Sequence, residues 1–146
     1  MKVYYTKYEP AAASVSDLID IYTDEDVVLP YNKLIYIPLD LYLELDTKEK
    51  AIILPRSSTF KRYGFILVNS VGIVDPSFNY NQVQLLVFRL QQDGEDTPLL
   101  HIPEGTRLAQ LMSIKFNALE HEVSKSSKSK LIKLALNSKK GFGSTG

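Results

Sequence analysis

Alternation of apolar and polar side chains over short segments is the sequence feature that most constrains the fold of this chain. In the segment 39–45, four leucines alternate with Asp40, Tyr42 and Glu44, which is the pattern of a half-buried β-strand. Further short apolar runs, separated by turn residues such as Asp, Pro and Gly, occur at 51–54, 65–68, 72–74, 83–90 and 108–116. Helical periodicity is limited to short pieces near 57–63 and 130–136. The pattern predicts an all-β domain of the sandwich or jelly-roll kind.

Charge divides the chain into a body and a tail. The 146 residues are enough for one domain with a proper core, and 45% of them are hydrophobic. Basic and acidic residues number 17 each, but six lysines and no acid follow Glu122, so the body is acidic. We predict a β jelly-roll core over residues 1–123, followed by a basic linker and a flexible Gly-rich arm over 124–146. Within the arm, the Ser/Lys-rich segment 124–130 is predicted to be a linker.

Several classes of protein are disfavoured by what the sequence lacks. There is no cysteine, which excludes disulfides and thiol chemistry, and neither His101 nor His121 has the spacing of a metal site. Residues 1–15 do not show the pattern of a secretory signal, and no apolar run approaches the roughly 18 residues of a membrane span. We therefore expect a cytoplasmic protein that has neither a membrane nor a nucleic acid polymer as a partner.

The segment 55–59, Pro-Arg-Ser-Ser-Thr, carries candidate phosphate ligands. Arg56 can bind phosphate oxygens through two parallel hydrogen bonds, and Ser57 and Ser58 add hydroxyl donors. A helical turn after this segment would direct backbone N–H groups at an anion. The alternative is that Ser57 or Ser58 simply caps a short helix.

The segment 69–78 carries groups suited to a nucleobase and to a water molecule. Asn69 has a donor and an acceptor that can read a base edge, and Gly72 lets the backbone approach a ligand closely. Asp75 ends an apolar run, where a carboxylate could activate water. The alternative is a hairpin in which Asp75 and the following proline start a turn.

The last six residues, 141–146, read Gly-Phe-Gly-Ser-Thr-Gly. Glycines allow consecutive N–H groups to form an anion-binding nest, and Ser144 and Thr145 add hydroxyl donors. Phe142 offers a face that could stack on a base. The alternative is a flexible Gly/Ser tail without a function of its own.

The order of the motifs along the chain is more specific than any one of them. Arg-Ser-Ser at 56–58 is followed by Gly-Ile-Val-Asp at 72–75, by Arg-Leu-Ala-Gln-Leu at 107–111 and by the terminal motif at 141–146. This series resembles the trimeric dUTP pyrophosphatases, or dUTPases, and most of all their phage-type members. The resemblance runs from about Asp17 to Gly146. It implies the jelly-roll-like dUTPase fold, a homotrimer and, if the chain is phage-encoded, the host cytoplasm.

The resemblance also implies roles for the phosphate-binding and tail residues. The residues implied to lie at the phosphates are Arg56, Ser57, Ser58, Arg107 and Gln110. The tail residues implied to close over the nucleotide are Lys140, Phe142, Gly143, Ser144 and Thr145, with Phe142 covering the base. The family usually has Arg-Gly-x-Gly before this Gly-Phe-Gly, whereas this chain has Asn-Ser-Lys-Lys at 137–140. Lys139 or Lys140 would replace the arginine as a point charge without its bidentate fork.

The middle of the chain is implied to bind the nucleoside and the attacking water. Asn69, Gly72 and Ile73 would read uracil, largely through backbone groups, and Asp75 would orient and activate the water. Phe78 stands where the family usually has a Tyr beneath the deoxyribose, so the ring is kept and the hydroxyl is lost. Asn-Tyr at 79–80 replaces the usual Arg-Gly, and Thr106 replaces an Asp that often precedes the arginine of the fourth motif.

The activity that the resemblance implies is hydrolysis of dUTP to dUMP and pyrophosphate. Mg²⁺ would bind chiefly through the triphosphate, and Asp20, in Ile-Asp-Ile at 19–21, would contact it through water. One alternative is a dCTP deaminase, which shares the fold and the Arg-Ser-Ser motif. That chemistry needs a glutamate base on the strand after Asp75, and 83–90 contains no acid. Another alternative is a non-catalytic regulatory protein on the same scaffold.

Overall fold

The computed structural model describes residues 1–12, 17–115 and 124–137. The chain divides into two compact units, Met1–Phe116 and Asn117–Gly146, and our predicted division after residue 123 stays a prediction. The described part of the first unit contains eleven strands: β1 Lys2–Tyr4, β2 Ala11–Ala12, β3 Ile19–Tyr22, β4 Val27–Pro30, β5 Leu34–Glu44, β6 Glu49–Pro55, β7 Phe65–Leu67, β8 Gly72–Val74, β9 Gln82–Arg89, β10 Leu99–Ile102 and β11 Arg107–Lys115.

Two large antiparallel sheets enclose the core of this unit. One has the strand order β1-β5-β9-β7, and the other has the order β2-β3-β11-β6-β8, while β10 and β4 pair separately. Ile37 and Val87 from the first sheet and Ile53 and Leu111 from the second belong to one continuous hydrophobic cluster. The predicted all-β, jelly-roll-like fold is therefore confirmed.

Strand β5 shows why the leucine alternation marks the core. Leu39, Leu41 and Leu43 are at most 1% exposed, because successive side chains of a strand point to opposite faces. Asp40 is also buried, at 1% exposure, although it lies on the polar side of the pattern. Its carboxylate accepts hydrogen bonds from the backbone N–H groups of residues 6–8 at 2.7–2.8 Å, so the N-terminal segment covers this face.

The helices occur where helical periodicity was predicted. Helix α1 is Thr59–Tyr63 and helix α2, in the second unit, is Lys128–Asn137. The predicted linker over 124–130 is wrong for its last three residues, which form the first turn of α2. Ser127, which we interpreted as linker composition, caps this helix by accepting the Lys130 N–H at 3.3 Å. No helix within the described ranges is long and apolar enough to cross a membrane.

Candidate active site

Three adjacent strands bring the first group of predicted residues together. Strand β11 lies between β3 and β6, and its Gln110 is directly opposite Asp20 on β3 and Leu54 on β6. Directly opposed side chains lie on the same face of a sheet. Arg56 comes two residues after Leu54 and reaches the same face. We call Asp20, Arg56, Arg107 and Gln110 the Asp20 cluster.

Asp20 is at the centre of the Asp20 cluster. It is 7% exposed, and its carboxylate accepts hydrogen bonds from Arg56 Nε, Arg107 Nη1 and Gln110 Nε2, each at 3.2 Å. A buried carboxylate requires such partners. Two guanidinium groups and one carboxylate give the cluster a net charge of +1, and the Arg107 side chain is 53% exposed. The cluster therefore offers positive charge and N–H donors to a phosphate.

A β-bulge in β11 brings Arg107 into the Asp20 cluster. The register against β3 shifts between Arg107 and Ala109, so Leu108 is the additional residue. Leu108 and Ala109 are both fully buried, whereas regular alternation would turn one of them outward. Because the bulge reverses the alternation, Arg107 lies on the same outward face as Gln110.

Ser57 and Ser58 lie in the turn between β6 and α1. Ser58 is the N-cap residue of α1, but its side chain makes no capping hydrogen bond. Instead, buried Thr59 anchors the helix by donating its hydroxyl to the Leu108 carbonyl at 3.1 Å. The capping alternative is therefore confirmed for the position of Ser58, which opens the helix, and wrong for its side chain, which makes no capping bond. Neither serine hydroxyl has a partner among the described residues, so both can bind a ligand.

A cavity of about 510 Å³ adjoins the Asp20 cluster. Arg56, Ser57 and Ser70 contribute its polar lining, and Phe60 and Ile66 contribute apolar side chains. Phe60 and Ile66 are each 44% exposed in the single chain. This combination suits a ligand or a neighbouring chain that has both charged and apolar groups.

Asp75 directly follows β8 and caps the 3₁₀ turn Pro76–Phe78. Its Oδ1 accepts the Ser77 hydroxyl and also the Ser77 backbone N–H, the latter at 2.9 Å. These two hydrogen bonds, helped by the charge of Lys50, hold the pKa of Asp75 below its ordinary value. Asp75 is therefore ionised at neutral pH. The predicted turn at Asp75 is confirmed, but the predicted hairpin is wrong, because β8 lies in a different sheet from both β7 and β9. The other carboxylate oxygen, Oδ2, has no partner among the described residues.

A second cavity, of about 410 Å³, opens beside Asp75, and we call it the Asp75 cavity. Ile73 and Phe78 line it, as do Tyr36 on β5 and Gln84 on β9. Ile73, Phe78 and Tyr36 are 67%, 43% and 64% exposed, so an apolar surface is available next to an ionised carboxylate. Tyr36 and Gln84 were not predicted as site residues, because the sequence gives each of them the outward position of an alternating strand.

Asn69 and Gly72 are not among the residues that line the Asp75 cavity. Asn69 is exposed in the turn between β7 and β8, where Ser70 has a φ of 61° and the Val71 N–H donates to the Asn69 carbonyl at 2.6 Å. A Cβ at Gly72 would lie 3.1 Å from the Ile53 Cβ. Strand packing therefore accounts for this glycine, and the predicted close approach of a ligand stays a prediction.

The Asp20 cluster and the Asp75 cavity lie towards opposite ends of β6. Val74 pairs with Ala51, which places Asp75 beside Lys50, whereas Arg56 follows the other end of the strand. Residues 50 and 56 are separated by about 20 Å of extended chain at roughly 3.3 Å per residue. Within one chain, the predicted residues therefore form two groups and not one.

The tail residues Lys140, Phe142, Gly143, Ser144 and Thr145 lie outside the described residues. Among the residues that are described, no three His, Asp or Glu side chains form a group that could hold a metal ion. Asp20 already accepts three hydrogen bonds, which leaves its carboxylate room for one further contact, such as a metal-bound water.

The dUTPase family matches residues 10–146 of this sequence. A deoxyuridine 5′-triphosphate nucleotidohydrolase of Cytophaga hutchinsonii is 30% identical over 143 residues, which cover 95% of this chain and 82% of that protein. The SPbeta prophage-derived deoxyuridine 5′-triphosphate nucleotidohydrolase YosS of Bacillus subtilis is 39% identical over 62 residues, which cover 42% of this chain but only 44% of YosS.

A solved structure shows the same fold. The Staphylococcus bacteriophage 80alpha dUTPase, as a G164S mutant with dUpNHpp, superimposes with a TM-score of 0.74 at 17% identity. The match covers 99% of this chain and 97% of the phage protein. The strand arrangement, the order of the motifs and the family match agree. The chain belongs to the dUTPase family.

Proposed function

We propose that this protein hydrolyses dUTP to dUMP and pyrophosphate. Water supplies the oxygen that enters the products, and the bond that breaks is the anhydride between the α and β phosphates. The observation that carries the proposal is the ionised Asp75 at a cavity with apolar walls, in a chain of the dUTPase family. The names of both relatives and the dUpNHpp in the phage structure support dUTP as the substrate.

Asp75 orients the attacking water in this proposal. Its Oδ2 has no partner among the described residues, while the Ser77 hydroxyl and backbone N–H fix Oδ1 and hence the plane of the carboxylate. An ionised carboxylate accepts a hydrogen bond from water and takes its proton as the oxygen attacks phosphorus. The lowered pKa of Asp75 keeps the carboxylate ionised throughout the neutral range, although it also makes Asp75 a weak base. Asp75 therefore contributes both by positioning the water and by taking its proton.

The triphosphate binds to the Asp20 cluster. Arg56 and Arg107 provide positive charge, and Ser57 and Ser58 provide hydroxyl donors that have no side-chain partners within the described part of the chain. Asp20 holds both arginines in place, because its two oxygens each accept from a different guanidinium group. Preorganised donors of this kind stabilise charge that develops on phosphate oxygens during transfer.

The nucleoside binds between the turn at Asn69 and the Asp75 cavity. Asn69 and the backbone around Gly72 and Ile73 read the uracil edge, and the exposed ring of Phe78 packs against the deoxyribose. An apolar ring beneath the sugar leaves no hydrogen-bonding partner for a 2′-hydroxyl, which favours deoxyribose over ribose.

We further propose that the complete site forms in a homotrimer. One chain separates Asp75 from Arg56 by about 20 Å of strand, which is too far for both to act on one α phosphate. The outward side of β5, β9 and β7 carries an apolar surface composed of Leu34, Ile66, Leu86 and Phe88, and Val68, directly after β7, extends it. Leu34, Ile66 and Val68 are 60%, 44% and 45% exposed in the single chain. Contact with neighbouring chains would bury this surface and bring one chain's Asp75 to another chain's Asp20 cluster.

Magnesium belongs to this proposal as a ligand of the triphosphate. When bound, Mg²⁺ would neutralise phosphate charge, and it prefers to keep several of its waters. Asp20 fits an outer contact to one of those waters and does not fit direct ligation, since three donors already occupy its carboxylate. The described residues contain no cluster of carboxylates that would compete for the ion.

The arm completes the proposed site. Phe142 covers the base, and Lys140, Gly143, Ser144 and Thr145 close over the phosphates. Closure of such a segment excludes water and fixes the reactive conformation of the triphosphate. A cytoplasmic location, in the host cell if the chain is phage-encoded, stays part of the proposal.

Nucleotide turnover tests the proposed function. The protein is incubated with dUTP, dCTP or UTP and Mg²⁺, and the products are separated by anion exchange. We expect dUMP and pyrophosphate from dUTP, and little turnover of the other two nucleotides. Formation of dUTP from dCTP would establish the deaminase alternative instead. Absence of turnover with all three would leave the regulatory alternative.

A further inference from the structure

Tyr36 is an exposed aromatic residue in the Asp75 cavity that the proposed mechanism leaves without a role. It lies on β5 between Ile35 and Ile37, which pack on or within the core, so strand alternation turns its ring outward. In the single chain the side chain is 64% exposed, and its hydroxyl has no hydrogen-bond partner among the described residues. Tyr36 borders Leu34 and Leu86 of the surface proposed to contact neighbouring chains, so it lies at the edge between that surface and the cavity. An unpaired phenol on the wall of a ligand-sized cavity is a candidate ligand contact.

The surroundings of Tyr36 indicate which part of a nucleotide it would meet. Tyr36 pairs with Leu86 on β9, and Gln84 lies diagonally across from it at the spacing of about 7–8 Å expected for such neighbours. The same cavity contains Phe78, whose ring has no polar atom, and Asp75, whose charge serves the attacking water. Strands β5 and β9 form one part of the cavity lining. On that part, Tyr36 and Gln84 are the side chains that can form hydrogen bonds, and both are uncharged. Uncharged donors and acceptors suit a neutral hydroxyl.

A bound deoxynucleoside triphosphate has one free sugar hydroxyl, at C3′, because the 5′ oxygen carries the phosphates and C2′ has none. We propose that the Tyr36 hydroxyl hydrogen-bonds to this 3′-hydroxyl when the sugar packs against Phe78. The proposal rests on the proposed function, since it assigns a further substrate contact in the same cavity. Tyr36 would thus supply a phenol hydroxyl in the cavity that binds the sugar, whereas Phe78 supplies only a ring there.

The test combines a change in the protein with a change in the substrate. KM and kcat are measured for the full chain and for Tyr36→Phe, with dUTP and with 2′,3′-dideoxyuridine triphosphate. Loss of one hydrogen bond made equally in ground and transition states raises KM by about 3- to 10-fold and leaves kcat unchanged. We expect this rise with dUTP and less than about a twofold change with the dideoxy substrate. Tyr5→Phe is the matched control, because Tyr5 is 46% exposed and does not line the cavity.

Three results would overturn the inference. One is an unchanged KM for dUTP in Tyr36→Phe, and another is an equal rise with both substrates. The third is a rise in KM together with loss of the trimer in sedimentation, which would assign Tyr36 to the contact between chains. If the full chain does not turn over dUTP, the proposed function fails. In that case, the affinities of the full chain and of Tyr36→Phe for dUMP and for 3′-deoxy-dUMP are measured by calorimetry, which needs no turnover. If Tyr36→Phe weakened binding of the two ligands equally or not at all, the inference would be overturned independently of the proposed function.

Discussion

Replacement of Asp20 by asparagine tests the central feature of the Asp20 cluster. The change removes the negative charge between Arg56 and Arg107 while it keeps the shape of the side chain. Arg56 is largely buried, with 24% of its side chain exposed, so its charge-assisted hydrogen bond is worth about 1.5–3 kcal/mol. Arg107 is 53% exposed, and solvent reduces its pair with Asp20 to roughly 0.2–1 kcal/mol. Gln110 contributes about 0.5–1.5 kcal/mol.

Asparagine keeps one acceptor oxygen and therefore retains about one neutral hydrogen bond. The remaining loss predicts that Asp20→Asn lowers the free energy of unfolding by about 2–4 kcal/mol. Urea unfolding measures this value at a fixed protein concentration, because assembly makes stability depend on concentration. The chain has nine tyrosines and no tryptophan, so far-UV circular dichroism and tyrosine fluorescence are suitable probes.

Asp17→Asn is the matched control for Asp20→Asn. Asp17 lies three residues earlier, is exposed and has no ion-pair partner among the described residues. Its replacement should change the free energy of unfolding by less than about 0.5 kcal/mol. If Asp20→Asn matched this control and altered only the magnesium dependence of turnover, Asp20 would be a contact of the metal's waters and not the residue that holds the arginines.

The remaining predictions concern catalysis. Asp75→Asn should lower kcat by about 10²–10⁴-fold with little change in nucleotide affinity, since the amide cannot take the proton of the water; near-normal turnover would refute this role. Ser77→Ala should raise the pKa of Asp75, because it removes the hydroxyl that lowers it most, and the acid limb of the kcat/KM profile should move to higher pH. Deletion of 141–146 should leave the trimer intact in sedimentation and remove most activity; equal activity of both chains would show that the tail only extends the linker.

The sequence predicts a strand best where the strand is long enough to show alternation of apolar and polar residues by itself. The leucines of β5 identify a core strand because every second position is apolar over the segment 39–45. Strands β4 and β10 have four residues each and pair with each other across about 70 positions of sequence. Neither is long enough to show a period, and pairing across such a separation leaves no local signal. Both were therefore missed.

The residues of the candidate site also differ in whether the sequence alone identifies them. Arg56, Asp75 and Gln110 were found because their residue types and motif order are specific. The convergence on Asp20 could not be predicted, because it depends on β3 and β6 flanking β11 and on a bulge at Leu108. Tyr36 was invisible for a different reason, since an outward tyrosine is ordinary in a strand and only the shape of the cavity distinguishes it.

The departure from the family pattern at Asn79 and Tyr80 is accommodated by the structure. Asn79 accepts the Leu45 N–H at 2.9 Å and donates to the Leu45 carbonyl at 3.0 Å, as a paired strand residue would. Tyr80 has a φ of 63°, a conformation that favours the glycine usual in the family and costs a bulky residue about 1–3 kcal/mol.

Two contacts offset this cost at Tyr80. Its N–H donates to the Leu43 carbonyl at 2.9 Å, and its ring packs against Tyr4 with 6.3 Å between centroids. Leu43 is near the end of β5 and Leu45 directly follows it, so these bonds attach the segment that follows Asp75 and Phe78 to a strand whose leucines lie in the core. The turn that carries Asp75 is consequently fixed at Ser77 and at residues 79–80. The loss of the usual Arg-Gly therefore changes the side chains at this position while the backbone course that presents Asp75 is kept.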